Sequence, residues 1–310
     1  MNRFSADWAS RSRTDVRGVR DNLSGAFQQT VDRDGRNRDR DDWRSPDRAQ
    51  YWDRWGSNVR SSYRWGNTPY YTSNWWSGRP LIGIGLGNGF SIGFGGGGGW
   101  WGYQPWLSSY PYGYWWGRPR WNSFYTWFPD YGWSSPYYYD YGPGGNVVYR
   151  NNQVFVSGQP VGTAADYAAS AANLAYIDPN QIEPTPADEW KPMGTFSVAV
   201  KEDEQNPPRV IQLAVSKDGL ISGTIHNRSS DKLYTVQGRV DKETQRVAFT
   251  IGNDPNVVLE TGLYNLTLDE TPVLVHFGEN KTATYLFVRL DEPQAQQAEA
   301  PLTPGEEALR

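Results

Sequence analysis

From Met193 onward, apolar and polar residues alternate with a period of two, which is the signature of strands with one buried face. Ile211, Leu213 and Val215 show it, as do Val247, Phe249 and Ile251. The pattern predicts eight strands, at Gly194–Val200, Arg209–Val215, Leu220–Asn227, Lys232–Val240, Arg246–Ile251, Val257–Leu266, Pro272–Phe277 and Thr282–Leu290. Polar turns such as Lys217-Asp218-Gly219 and Asp254-Pro255-Asn256 separate them, so consecutive strands are expected to pair antiparallel. Such a meander closes into a small barrel or folds over as a sandwich. Upstream, Val147–Tyr149 and Val154–Val156 flank Asn151-Asn152 and read as a hairpin. Thr163, with Asp166 three residues on, caps a helix carrying Tyr167, Ala171, Leu174 and Ala175 on one face.

The front of the chain has helical rather than strand spacing. Val16, Val19, Leu23 and Phe27 share one helical face. Ser45-Pro46-Asp47 is a helix start, with Trp52, Trp55, Val59 and Tyr63 on the face that follows. The run Arg33–Asp42 alternates charges with no apolar partner and is expected to be disordered. Residues 81–99 alternate Gly with apolar residues around Asn88-Gly89, a hairpin turn signal. Residues 100–145 are low in complexity, built from Trp, Tyr, Gly, Pro and Ser, and need a ready-made surface on which to gather their rings.

The fold class read from this pattern is mainly β. An Arg- and Trp-rich region at 1–75 comes first, partly helical and partly disordered. An aromatic, Gly-rich region follows at 76–145, then a hairpin–helix unit at 146–176 and a Pro-rich acidic linker at 177–189. The β domain occupies 190–291, and a disordered tail 292–310. Composition sharpens the division. All but one of the 16 Trp lie at or before Trp133, the exception being Trp190, and the first Lys is Lys191. The formal net charge of −4 argues against a general attraction to nucleic acid. No apolar run reaches the roughly 18 residues of a spanning helix. The polar, Arg-rich stretch after Met1 has no apolar signal core.

Candidate chemistry is sparse. Cysteine is absent, which removes disulfides, thiolate metal sites and Cys nucleophiles. Gly89-Phe90-Ser91-Ile92-Gly93 matches the nucleophile-elbow pattern, but the glycines after it cannot start a good helix, so a hydrolase is the last of three readings. His226 and His276 lack metal-motif spacing, even with Glu260 as a third ligand, and read as surface or hydrogen-bonded strand residues. Asp32, Asp34, Asp39, Asp41 and Asp42 carry interleaved Arg and a misplaced Gly, unlike a calcium loop. No catalytic residue, metal site or cofactor is assigned. What remains is aromatic density, with Trp100, Trp101, Trp106, Trp115, Trp116, Trp121, Trp127 and Trp133 as candidate binding residues for proteins or sugars.

Four stretches, VVYRNNQVFVSGQPVGTAADYAASAANLA, RVIQLAVSKDGLISGT, GRVDKETQRVAFTIG and ETGLYNLTLDETPVLVHFG, resemble a planctomycete family of uncharacterised proteins. Its members are sometimes labelled mu-protocadherin-like cell-surface proteins. The resemblance covers roughly residues 137–291. It implies an extracytoplasmic or surface location and no particular activity, and the calcium motifs of cadherins are not recognisable. The meander is also similar to avidin-like and lipocalin-like barrels, although no Trp follows Trp190, so biotin binding does not carry over. The leading expectation is a non-enzymatic surface or envelope protein with a structural and protein-interaction role. A protein that binds cell-wall glycan through exposed Trp and Tyr is the alternative.

Overall fold

The structure is a computed structural model. It describes residues 13–34, 45–66, 68, 70–72, 75, 81–82, 112–133, 135–177, 185–252, 254 and 256–293. The charged run beyond Asp34, the Asn88-Gly89 hairpin, Trp100, Trp101, Trp106, the Gly89–Gly93 motif and the tail beyond Pro293 lie outside those residues.

Eight strands form the C-terminal part: β5 (Trp190–Ala199), β6 (Arg209–Ser216), β7 (Leu220–Asn227), β8 (Lys232–Asp241), β9 (Arg246–Ile251), β10 (Val257–Gly262), β11 (Glu270–Phe277) and β12 (Thr282–Arg289). Each pairs antiparallel with the next. β12 returns to β5 with Phe287 opposite Val198, so the sheet closes as a barrel and not as a sandwich. Short turns fix this order; between β6 and β7, Gly219 takes the positive φ of 85° that a side chain would resist. β5 begins at Trp190, earlier than the alternation suggests, because a bulge between Pro192 and Gly194 shifts its register. β10 stops at Gly262, and Asn265–Thr267 forms a 3-10 turn instead of continuing the strand.

The inward residues fill the barrel. Phe196, Ile211, Leu213, Val236, Phe249 and Phe287 belong to one buried cluster, as expected when eight strands leave room for side chains alone. One end is plugged from outside the barrel sequence. A short helix, α3 (Ser123–Trp127), and the turn after it send Phe124, Phe128 and Trp133 into the same cluster. Arg289 closes this end beside them. Its guanidinium donates to the carbonyls of Met193 (2.9 Å), Leu266 (2.7 Å) and Leu268 (3.1 Å), and it lies 4.5 Å from the Phe196 ring centre. Burial pushes its pKa down to about 10, against the pull of Asp269.

The outer wall is apolar too, and the front of the chain covers it. Helix α2 (Pro46–Ser62) starts at the Ser45-Pro46-Asp47 signal and lays Trp52, Trp55 and Val59 on Leu286 and Val288. Tyr63, Tyr71, Trp75 and Trp115 cover Val210, Ala214, Leu220 and Leu233. Helix α4 (Ala164–Ala175), capped by Thr163 accepting from the Asp166 amide, packs its small residues on Ala248 and Val258. Its Ala face permits close approach to the sheet. Before it, β2 (Val147–Arg150), β3 (Gln153–Val156) and β4 (Gln159–Thr163) make a second, three-stranded sheet. Asn151 and Asn152 both take positive φ in the expected hairpin. A second turn at Ser157-Gly158 adds β4, which the sequence pattern missed because Val161 is its one large apolar residue. Helix α1 (Arg13–Asp34) closes over this sheet with Val19, Leu23 and Phe27. The two-residue strand β1 (Leu81–Ile82) pairs parallel with the start of β8.

The Tyr137–Tyr141 segment shows how a stretch without periodicity is held. Three amide side chains pair its backbone as a neighbouring strand would. Gln245 accepts from the Tyr137 amide at 2.8 Å and donates to the Ser135 carbonyl at 3.0 Å. Asn265 does the same for both backbone groups of Tyr139, and Asn146 accepts from the Asp140 amide and donates to the Tyr138 carbonyl. Asp140 then receives Arg48 through both carboxylate oxygens, each at 2.8 Å, and the Trp52 indole at 2.9 Å, tying the segment to α2.

Helix α2 sits close enough that only glycine fits at position 56. A Cβ there would lie 2.5–2.9 Å from the Glu270 carboxyl and its Cγ. Glu270 is buried and ion-paired with Arg60, so it cannot swing aside freely. Alanine gains about 1 kcal/mol over glycine in a helix interior, but overpacking costs about 1–3 kcal/mol. Gly56→Ala is therefore expected to lower the melting temperature. A rise, measured by circular dichroism, would show that the helix-to-barrel distance is adjustable.

Candidate functional site

The plugged end of the barrel brings exposed tyrosines together with three lysines. Lys191 at the start of β5, Lys217 in the β6–β7 turn and Lys242 after β8 all reach the plug, because alternate strand ends of a meander meet at one rim. The Lys191 ammonium sits 4.6 Å from the Trp127 ring centre and that of Lys217 5.6 Å. Lys242 lies 5.1 Å from both Phe128 and Tyr131 and donates to the Lys217 carbonyl. Burial pushes the pKa of Lys191 down; Lys242 is lowered in the same way, opposed by Asp218 and Asp130. Tyr125 and Tyr131 are 39% and 42% exposed, and they are the exposed large hydrophobic residues among those described.

Two depressions flank the plug. The larger, about 720 Å³, runs between the Tyr114–Ser123 segment and the start of β5, with Trp127 in its wall. Trp190 is buried behind it, and the Tyr114 hydroxyl donates to the Trp190 carbonyl at 2.9 Å. Arg118 is engaged by Asp269 and the Thr267 carbonyl. Arg120 projects into solvent at the rim. The smaller depression, about 380 Å³, lies between α1 and the turn at Tyr131–Trp133.

Of the candidate tryptophans, Trp121, Trp127 and Trp133 come together at this end. Trp121 stacks on Trp133 at 5.4 Å, and the Trp133 indole donates to the Lys242 carbonyl. Trp115 and Trp116 sit elsewhere, on the β6–β8 wall. Trp115 is buried there, and Trp116 is half-buried with its ring edge-on to Trp65. The lysines were not singled out by the sequence, where each occurs beside an ordinary turn or strand end. Their one signal was position: Lys217 and Lys242 follow β6 and β8, and Lys191 opens β5, all on the same rim.

The two histidines sit on opposite sides of the barrel, on β7 and β11, so they cannot share a metal ion. Neither is on the surface. His226 accepts or donates between Tyr71 (3.2 Å) and Asp231 (2.9 Å), inside a group of rings that includes Trp75. His276 is fully buried, its Nε2 3.2 Å from Glu260. Glu260 is committed to Arg246, which also donates to the Ser170 hydroxyl and the Tyr167 carbonyl of α4 and lies 4.1 Å from the Tyr167 ring centre. Burial works to raise the Glu260 pKa, but Arg246 and His276 outweigh it and hold the carboxyl below the usual carboxylate range. This cluster joins α4 to the barrel wall. Among the described residues, no group of three His, Asp or Glu is arranged to hold a metal ion.

No family model, curated protein or solved structure matches the chain. Among the described residues, no helix is long and apolar enough to cross a membrane.

Proposed function

We propose that this protein is a non-enzymatic structural and protein-interaction module of a cell surface or envelope, acting through the plugged end of its barrel. The observation that carries the reading is the exposure of Tyr125 and Tyr131 on the plug while the other described large rings pack against the barrel or one another. Exposed tyrosines are the kind of residue that anchors interfaces, and Tyr131 carries Lys242 beside its ring. The filled lumen suits a rigid presenter of that face. The surface location rests on the family resemblance. The second reading, glycan binding, is favoured by the cleft beside Trp127.

Co-sedimentation with isolated envelope material tests the first reading. The purified protein is expected to bind, and Tyr125→Ser with Tyr131→Ser to weaken binding about tenfold or more, as loss of two interface rings does. Both rings are exposed, so the variant should keep its melting temperature. Prior protease treatment of the envelope should abolish binding. Wild-type binding that the double variant retains would defeat the proposal.

A further inference from the structure

We infer that the cleft beside Trp127 is a binding site for an acidic saccharide, one sugar ring resting against the apolar wall and its carboxylate held by Lys191 and Arg120. The inference rests on the glycan reading alone, and the interaction role of Tyr125 and Tyr131 stands without it.

The cleft has the size of a small-ligand site: about 720 Å³ falls within the usual range of roughly 300–1,000 Å³. Its wall is built rather than incidental. Trp127 is fixed by packing on the barrel plug, and Tyr114 is fixed by its bond to the Trp190 carbonyl. Lys191 is half-buried against Trp127, with cation–π contacts and, among the described residues, no carboxylate within ion-pair distance. A half-desolvated ammonium without a counterion is a site waiting for an anion, because an incoming carboxylate gains a partner already stripped of part of its water. Arg120, exposed at the same rim, supplies a second cation of planar, carboxylate-matching shape.

The rest of the lining selects the kind of anion. Asp188 faces the cleft beside Asn122. A carboxylate there accepts hydrogen bonds from hydroxyls but repels the clustered charge of a polyphosphate, so one carboxylate per ring spread among many hydroxyls fits better than a nucleotide. Trp127, Tyr114 and Pro192 provide the apolar contact on which the C–H face of a pyranose packs. A uronate-bearing oligosaccharide meets all three demands.

The experiment is calorimetric titration of the full chain with trigalacturonate, maltotriose and ATP, with the Trp127 indole N–H followed by NMR. Trigalacturonate is expected to bind and shift that signal, more weakly as salt is added. Maltotriose should bind far less. Arg120→Gln and Lys191→Gln should each weaken trigalacturonate about tenfold or more, the scale of one charge-assisted hydrogen bond. Arg120 is exposed, so its variant keeps the test valid if the Lys191 change disturbs the plug. Absence of trigalacturonate binding, binding indifferent to both substitutions, or tighter binding of ATP through the same residues would overturn the inference. Envelope binding that persists while trigalacturonate is silent would remove this inference and leave the interaction reading intact.

Discussion

Glu260→Ala should destabilise the protein by about 3–5 kcal/mol, the cost of leaving a buried partner charge uncompensated. Arg246 and Glu260 are both buried under α4, and Arg246 has no route to solvent when its carboxylate is removed. The double variant Arg246→Met with Glu260→Leu should recover most of the loss, since an apolar pair of similar volume avoids both desolvation penalties. Chemical denaturation of Arg246→Met, Glu260→Leu and the double variant closes the cycle. The pair also sets an acid limit. The folded Glu260 pKa lies below its unfolded value near 4.3. Its stabilisation is therefore complete above that pH and is lost as pH falls through the lower, folded value. A Glu260→Gln variant should show a shallower loss of stability in that acid window than the wild type. An equal slope would mean that other carboxylates govern acid unfolding.

Arg289→Met is the second large effect, again expected at about 3–5 kcal/mol. Methionine keeps much of the volume but donates nothing, so the carbonyls of Met193, Leu266 and Leu268 lose their shared partner at once. Each buried acceptor left without a donor costs about 1–3 kcal/mol. Because Arg289 sits where β12 meets β5, the closing seam of the barrel should loosen first. Hydrogen exchange should show faster exchange at Thr195, Phe196 and Leu290 than at β7 and β8. Uniform loss of protection would instead mean that Arg289 supports the whole fold equally.

The barrel strands were legible because one face of each alternates and polar turns break the chain between them. Helix α2 was legible because Ser45-Pro46-Asp47 precedes rings at helical spacing. The cover over the barrel was not deduced, although a trace of it was present. Outward positions such as Val210, Ala214, Leu233, Leu286 and Val288 are apolar as well, and strands apolar on both faces are strands that something covers. The ordering of Tyr137–Tyr141 could not be read locally, because its partners Gln245 and Asn265 lie more than a hundred residues away. Of the two alternatives for His276, surface or hydrogen-bonded, the surface one does not hold, for a related reason: its neighbours Tyr167 and Glu260 belong to elements that meet only in the folded chain. Trp121, Trp127 and Trp133 were among the rings named for binding, but the lysines at their rim come from strand ends that the topology alone brings together.

The covering precedes what it covers along the chain. Arg20 of α1 is bound to Asp241, 221 residues later. At about 5–20 residues per second, a ribosome takes roughly 10–45 s to make that span. Trp52, Trp55, Tyr63 and Trp115 are each made well before the strands that bury them, and until those strands follow they exist without that wall. The nascent protein is thus a hydrophobic client long before it is a barrel, and its yield should depend on whatever holds those rings apart until β12 arrives.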